Sequence, residues 1–269
     1  MNGRRNLGTG ALLGALTLSA LAACDEKKTE PASPAPASAT LAQKLPSGPA
    51  SGTGSAEAPR PEPAKKARTC ASGPNADFGD KNLETEVRRK LERPDGNVTI
   101  ADLAKVRTLN LSNGKTNELD PCIFPHFTAL KDLFLGPGDL VDLSPLAGLK
   151  NLESLRASIN HVSDLKPLQN ATKLDRLDLG RTSVKDLTPL GNLANLTELQ
   201  LDDTPIVDIQ PLSSLTKLEK LSLKNTMVKD VSPLKDMKKL KFLYLGGSAA
   251  ADDTSVLGPL TAKGLKVVR

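Results

Sequence analysis

"VKDLTPLGNLANLTELQL", residues 184–201, has the same plan as "VSDLKPLQNATKLDRLDL", residues 162–179, and "IVDIQPLSSLTKLEKLSL", residues 206–223. Each copy writes D-L/I-x-P-L and then L-x-x-L-x-L. The middle leucine of the second half falls at Leu133, Leu155, Leu177, Leu199, Leu221 and Leu243, every step 22 residues. Leu265 in "GLKVV" extends the series by a further 22, and Leu109 in "VRTLNL" precedes Leu133 by 24, as an atypical first coil does. That makes eight strand positions.

A self-similarity of this length marks a solenoid, in which each copy is one strand plus a return segment and cannot bury its apolar face alone. One coil shows why. Leu155 and Ala157 alternate as in a strand, while Leu152, Val162, Leu165, Leu168 and Ala171 line the turn and the return. Stacked coils place these side chains in one continuous core, with the strands parallel. The expected fold is therefore an α/β-type solenoid with a parallel concave sheet and short 3₁₀ or helical convex turns.

The recurring Asp and Pro belong to those turns. Asp142, Asp164, Asp186, Asp208 and Asp230 each stand three residues before Pro145, Pro167, Pro189, Pro211 and Pro233. A carboxylate accepts the free N–H groups at the start of a helical turn. Proline fixes φ and is tolerated in a first turn. The competing use of such a column is calcium binding, but one carboxylate per coil falls short of the six to eight oxygens that Ca²⁺ takes. No metal or other cofactor is expected.

The stretch "NHVSDLKPLQNATKLDRLDL" resembles the 22-residue repeats of internalin-like leucine-rich repeat proteins, and the likeness covers about residues 80–269. The resemblance implies a buried Asn in each coil, bonded to neighbouring backbone. Asn160 matches that position, whereas Thr182, Thr204, Thr226 and Ser248 occupy it in later coils. The resemblance also implies a helical N-terminal cap within residues 70–104, ahead of a solenoid over 105–269. Leu83, Val87 and Leu91 share one helix face there, and Thr99 with Asp102 has the spacing of a capping box.

The segment before the cap reads differently. Residues 1–23 carry Arg4 and Arg5 and then an apolar run from Leu7 to Ala23, the layout of a secretory signal. Leu21-Ala22-Ala23-Cys24 resembles the lipobox of bacterial lipoproteins, in which the Cys is lipidated after cleavage. Residues 24–69 hold eight prolines between Pro31 and Pro63 among Ala, Ser and Gly, a composition that does not bury enough apolar surface to fold and acts as a tether. The chain is thus expected to be exported and lipid-anchored in a bacterial envelope. Asp25 after the Cys resembles an inner-membrane retention signal, which does not decide between inner and outer membrane. Cys70 and Cys122 are then the remaining cysteines, and an oxidising compartment favours a disulfide that staples the cap to the first coil.

Function is read from what the repeat presents. The net charge is +5 but the basic residues are scattered and aromatics make up 2%, which argues against nucleic acid. The sequence has no P-loop, nucleophile elbow, H-E-x-x-H or G-x-G-x-x-G, and His126 and His161 lie in different coils. A non-enzymatic binding module that acts as a monomer is the leading reading. The other two are a structural envelope protein with no specific ligand and a periplasmic inhibitor or regulator of an enzyme. Residues that alternate with the buried leucines face the open side of the sheet. These give a candidate protein-binding surface of Phe134, Arg156, Arg176, Asp178, Glu198, Gln200, Lys220, Phe242 and Tyr244.

Overall fold

The structure, a computed structural model, describes residues 69–269. Cys24 and its surroundings lie outside the described residues. Eight strands of three residues each run in parallel and in chain order: β1 Thr108–Asn110, β2 Asp132–Phe134, β3 Ser154–Arg156, β4 Arg176–Asp178, β5 Glu198–Gln200, β6 Lys220–Ser222, β7 Phe242–Tyr244 and β8 Lys266–Val268. The fold is a leucine-rich repeat solenoid with one open sheet.

The register explains the repeat. Leu133 pairs with Leu155, Leu155 with Leu177, Leu177 with Leu199, Leu199 with Leu221 and Leu221 with Leu243. Identical spacing therefore stacks identical side chains, and all six leucines are buried. Within one coil Leu152, Leu155, Ala157, Val162, Leu165, Leu168 and Ala171 all join the same core cluster. Burying a leucine contributes about 1.5–3 kcal/mol, so the core comes from a column of equivalent residues, with no single dominant side chain.

The last coil departs from the expected register. Leu243 pairs with Val267, so the closing step is 24 residues and the central position of β8 is Val267. Leu265 is buried but stands just before the strand. The reason is the return segment, which here holds two 3₁₀ turns, Ala249–Ala251 and Ser255–Leu257, and a short helix, α3 Gly258–Thr261. That path uses two residues more than a regular coil.

The regular returns are 3₁₀ turns at Ser144–Leu146, Lys166–Leu168, Thr188–Leu190, Gln210–Ser214 and Ser232–Leu234, each with proline near its start. The repeated Asp stands two residues before each turn's first residue and accepts that residue's backbone N–H, at 2.7 Å for Asp142 to Ser144 and 2.8 Å for Asp186 to Thr188. The same bond recurs at Asp164, Asp208 and Asp230. The Asp thus makes an Asx turn one position earlier than a true N-cap. In Asp186 the Thr188 hydroxyl and then its backbone N–H hold the carboxyl below the usual carboxylate range. In Asp230 the Ser232 backbone N–H leads, followed by its hydroxyl.

The N-terminal end is closed by two helices, α1 Lys81–Lys90 and α2 Ile100–Leu103. Asp80 caps α1 and Thr99 with Asp102 forms the capping box on α2. Leu83 and Val87 are buried and Leu91 is partly buried against the core. Cys70 and Cys122 form a disulfide that ties the segment before the cap to the first coil.

A backbone feature invisible in the leucine pattern runs along the edge of the sheet. Ile159, Arg181, Asp203 and Asn225 all adopt positive φ, between 54° and 59°, and Gly247 has φ 75°. They occupy one position in five successive coils, where the chain leaves the strand to begin its return. Isoleucine is the worst fit, because its branched Cβ crowds the carbonyl in that region. Ile159→Asn is therefore expected to raise stability by about 1 kcal/mol, read as an increased denaturant midpoint. An unchanged or lower midpoint would show that the Ile159 side chain, 44% exposed, contributes more by its contacts than its backbone costs.

Candidate functional site

Two types of buried polar residue position the sheet. Asn160 is 4% exposed. Its Nδ2 donates to the carbonyls of Gly136, Ala157 and Ser158 at 3.1, 3.3 and 3.0 Å, and its Oδ1 accepts from Leu140 N–H at 3.2 Å. It ties two coils together. The hydroxyls at the same position in later coils do less. Thr182, Thr204, Thr226 and Ser248 each donate once, to the carbonyls of Leu179, Leu201, Leu223 and Leu245 within their own coil. The Asn ladder implied by the resemblance is thus a single inter-coil rung, followed by intra-coil bonds. Thr116 adds a buried inter-coil tie by accepting Gly136 N–H at 3.1 Å.

The first strand's outer edge is also satisfied. Glu86 on α1 is 8% exposed and accepts Asn110 N–H of β1 at 3.1 Å. It also takes two bonds from the Arg89 guanidinium, both 2.8 Å. Burial pushes its carboxyl up, but the Arg89 and Asn110 bonds outweigh that and hold it below the usual range. An unpaired strand edge recruits other strands; α1 covers it here. The signal was available: Glu86 lies on the same helix face as Leu83 and Val87, where an acid needs a partner.

The proposed face takes shape from the register. One row runs Asp132, Ser154, Arg176, Glu198, Lys220, Phe242, Lys266, and the next runs Phe134, Arg156, Asp178, Gln200, Ser222, Tyr244, Val268. All nine residues expected on the surface stand on it, in adjacent strands. They are not equally available. Arg156 lies 3.3 Å from Asp178, and Ser158 bonds to both of them. Asp202 is held by the Ser222 hydroxyl and by Lys224. Ser154 and Ser222 are buried. Lys266 lies with its Nζ 5.7 Å from the centre of the Phe242 ring. Among the described residues no ion pair joins Arg176, Glu198 or Lys220, although their charges alternate along the row.

The aromatics divide cleanly. Phe124 and Phe127 are buried and pack edge to face at 5.6 Å, and Phe78 packs against the core. Phe134 and Tyr244 are half-buried on the sheet face, and Phe242 is 37% exposed. Of the two histidines, His161 lies 3.6 Å from Asp139 and His126 borders a recess beside the disulfide. No group of three or more His, Cys, Asp or Glu side chains able to hold a metal occurs among the described residues.

No protein-family model matches the chain, and no curated protein matches it. Solved structures do. An internalin, inlF, from Listeria monocytogenes aligns with a TM-score of 0.61 and 29% identity over 69% of this chain and 54% of that one. Internalin C2 from Listeria monocytogenes aligns with a TM-score of 0.56 and 24% identity over 71% and 93% of the two chains. A leucine-rich repeat protein from Leptospira interrogans aligns with a TM-score of 0.51 and 20% identity over 63% and 50%. The fold is internalin-like. This chain spans about half the length of the first of those relatives. Such solenoids are typical protein–protein interaction modules, because the stacked strands make one extended surface.

Proposed function

We propose that this chain is a non-enzymatic module, held to an envelope membrane through a lipid on Cys24, that binds a protein partner through its sheet face. The observation that carries the binding half is the placement of Phe134, Phe242 and Tyr244 on that face. Together these are half of the aromatic residues in the chain. Partly exposed aromatics, with arginine beside them, are the usual anchors of an interface. The nine residues from Phe134 to Tyr244 then act as one surface. Arg176, Glu198, Gln200 and Lys220 form its open middle, and Arg156 with Asp178 forms a braced pair. In this reading the chain acts as a monomer.

The experiment is crosslinking in the native envelope. The double variant Tyr244→Ala with Arg156→Ala is expected to lose the crosslinked partner by at least about tenfold, as truncation of two anchors predicts. Lys166→Ala, exposed on the opposite side, should retain it. A folded double variant that recovers the same partners at wild-type yield overturns the reading in favour of a structural envelope protein.

The anchor is tested separately. It is supported by Arg4, Arg5, the apolar run and the Leu21-Ala22-Ala23-Cys24 stretch. Cys24→Ser is expected to move most of the protein from the membrane to the soluble fraction, because an acyl chain contributes about 0.8 kcal/mol per buried CH₂. Undiminished membrane association would overturn the lipid assignment. A membrane-held solenoid is confined near its attachment point, which raises its effective concentration for a neighbouring envelope protein.

A further inference from the structure

We propose that the C-terminal part of the sheet face, on β6–β8, is where the partner docks, and that it takes an acidic protein segment bearing an apolar side chain. This rests on the binding reading above and names the partner's chemistry. Register brings Lys220, Phe242 and Lys266 into one row and Ser222, Tyr244 and Val268 into the next. Lys224 follows on the same side of β6, 3.1 Å from Asp202. Three cations and two aromatics therefore share three adjacent strands.

No Asp or Glu side chain stands on the face of β6–β8. The neighbouring acids are Glu198 and Asp202 at β5 and Glu219 just before β6, the last paired with Lys241 at 2.6 Å. Asp202 is already occupied by the Ser222 hydroxyl, the Lys224 amide and the Lys224 ammonium. Lys220 has no ion-pair partner among the described residues, and the Tyr244 hydroxyl makes no hydrogen bond within them. The contrast with β3–β4 is sharp. There Arg156, Asp178 and Ser158 bond to one another, and a partner must break those bonds before using them.

The charge of the whole solenoid points the same way. Residues 69–216 hold 16 Lys and Arg against 21 Asp and Glu, whereas residues 217–269 hold 11 against 5. Lys235, Lys238 and Lys239 are exposed on the return beside these strands. The field is thus positive at one end of the solenoid and negative over the rest, which steers an acidic partner to β6–β8 and repels it from β1–β5. A lysine resting on an aromatic ring, as Lys266 rests on Phe242, leaves the ring's edge for an apolar side chain and the ammonium for a carboxylate. The sheet lines the inner side of the solenoid. A protein segment reaches into it, while a flat bilayer meets the rims first.

The chain has one tyrosine and no tryptophan, so tyrosine emission reports Tyr244 alone. The probes are an end-blocked octapeptide of six Glu and two Leu, its counterpart with Lys in place of Glu, and phosphatidylglycerol vesicles. All are added to the full chain carrying Cys24→Ser. The acidic peptide is expected to change the emission saturably, with a Kd below about 1 mM, and more weakly as salt rises. Lys220→Glu with Lys266→Glu should weaken it at least about tenfold, and Lys166→Ala, on the opposite side, should leave it unchanged. Should charge reversal prevent folding, Lys220→Gln with Lys266→Gln serves instead. The proposal is overturned by no response below about 1 mM, by an equal response to the Lys peptide, by insensitivity to the lysine variants, or by saturation with vesicles in place of peptide. If the peptide fails while crosslinking still depends on Tyr244 and Arg156, the acidic-segment inference falls and the binding reading stands. If both fail, both fall.

Discussion

Replacing both Cys70 and Cys122 with Ser is expected to cost about 4 kcal/mol of stability, the loop-closure value for a bridge of this span. The sequence separation is 52 residues, and everything between, including α1, α2 and β1, is tethered at both ends while the bond exists. The effect acts mainly on the unfolded chain, which loses a constraint and expands. The denaturant m-value should therefore rise as the midpoint falls. The native state feels it locally. A solenoid's coils touch only their neighbours, so its end is the place where it opens. Backbone hydrogen exchange in α1 and β1 should accelerate more than in β4–β6. A double variant with an unchanged midpoint and unchanged exchange would mean that α1 is held fully by Leu83, Val87 and the Glu86 bond to Asn110.

The second large effect belongs to Asn160. Asn160→Ala is expected to lose about 3 kcal/mol, because each buried group left without a partner costs about 1–3 kcal/mol and the losses do not add fully. The Leu140 N–H and the Gly136 carbonyl both lie in the preceding coil and both depend on this one amide. Thr182→Ala removes a single bond to Leu179 within its own coil, for about 1 kcal/mol. Asn160→Thr separates the two roles. Threonine can keep a bond to the Ala157 carbonyl, as Thr182 does to Leu179, but is too short to span the coils. Its loss should fall between the other two. Equal denaturant midpoints for Asn160→Ala and Thr182→Ala would refute the inter-coil role.

Both effects concern residues whose type the sequence made conspicuous and whose partners it did not. The cysteine pair could be read from export and from the absence of other cysteines in the folded part. The Asn could be read only through its resemblance to a repeat pattern. That it is a lone rung, with Thr116 as its nearest buried counterpart, was decided by the tertiary structure, because hydrogen-bond reach depends on the spacing of two coils to within a few tenths of an ångström. The same limit applied to Glu86. Its place on an apolar helix face was visible, but the strand edge it satisfies lies 24 residues away.

The candidate surface divides in the same manner. Strand alternation placed all nine residues on one face, since side-chain direction in a strand follows parity alone. It could not say that Arg156 is braced by Asp178, or that Phe242 lies beneath Lys266. The second of these depends on β8, whose register the sequence misplaced by two residues. Counting on by 22 puts Leu265 at the centre of the last strand, whereas Val267 pairs with Leu243. Periodicity fails there because a terminal return has no following coil to match and is free to lengthen.

The sequence by itself determined the architecture: six leucines at a constant step of 22, with one Asp and one Pro per coil, admit only stacked parallel strands with tight returns. The physical reason is that a solenoid is nearly one-dimensional, so short-range spacing is its long-range structure. The tertiary structure alone decided what that spacing does not encode. This includes the left-handed backbone at Ile159, Arg181, Asp203 and Asn225, the coil-spanning bonds of Asn160 and Thr116, and the division of the sheet face into a braced N-terminal part and an open, cationic C-terminal part. Each of these arises between coils, where side chains from different copies of the repeat meet and where the copies cease to be alike.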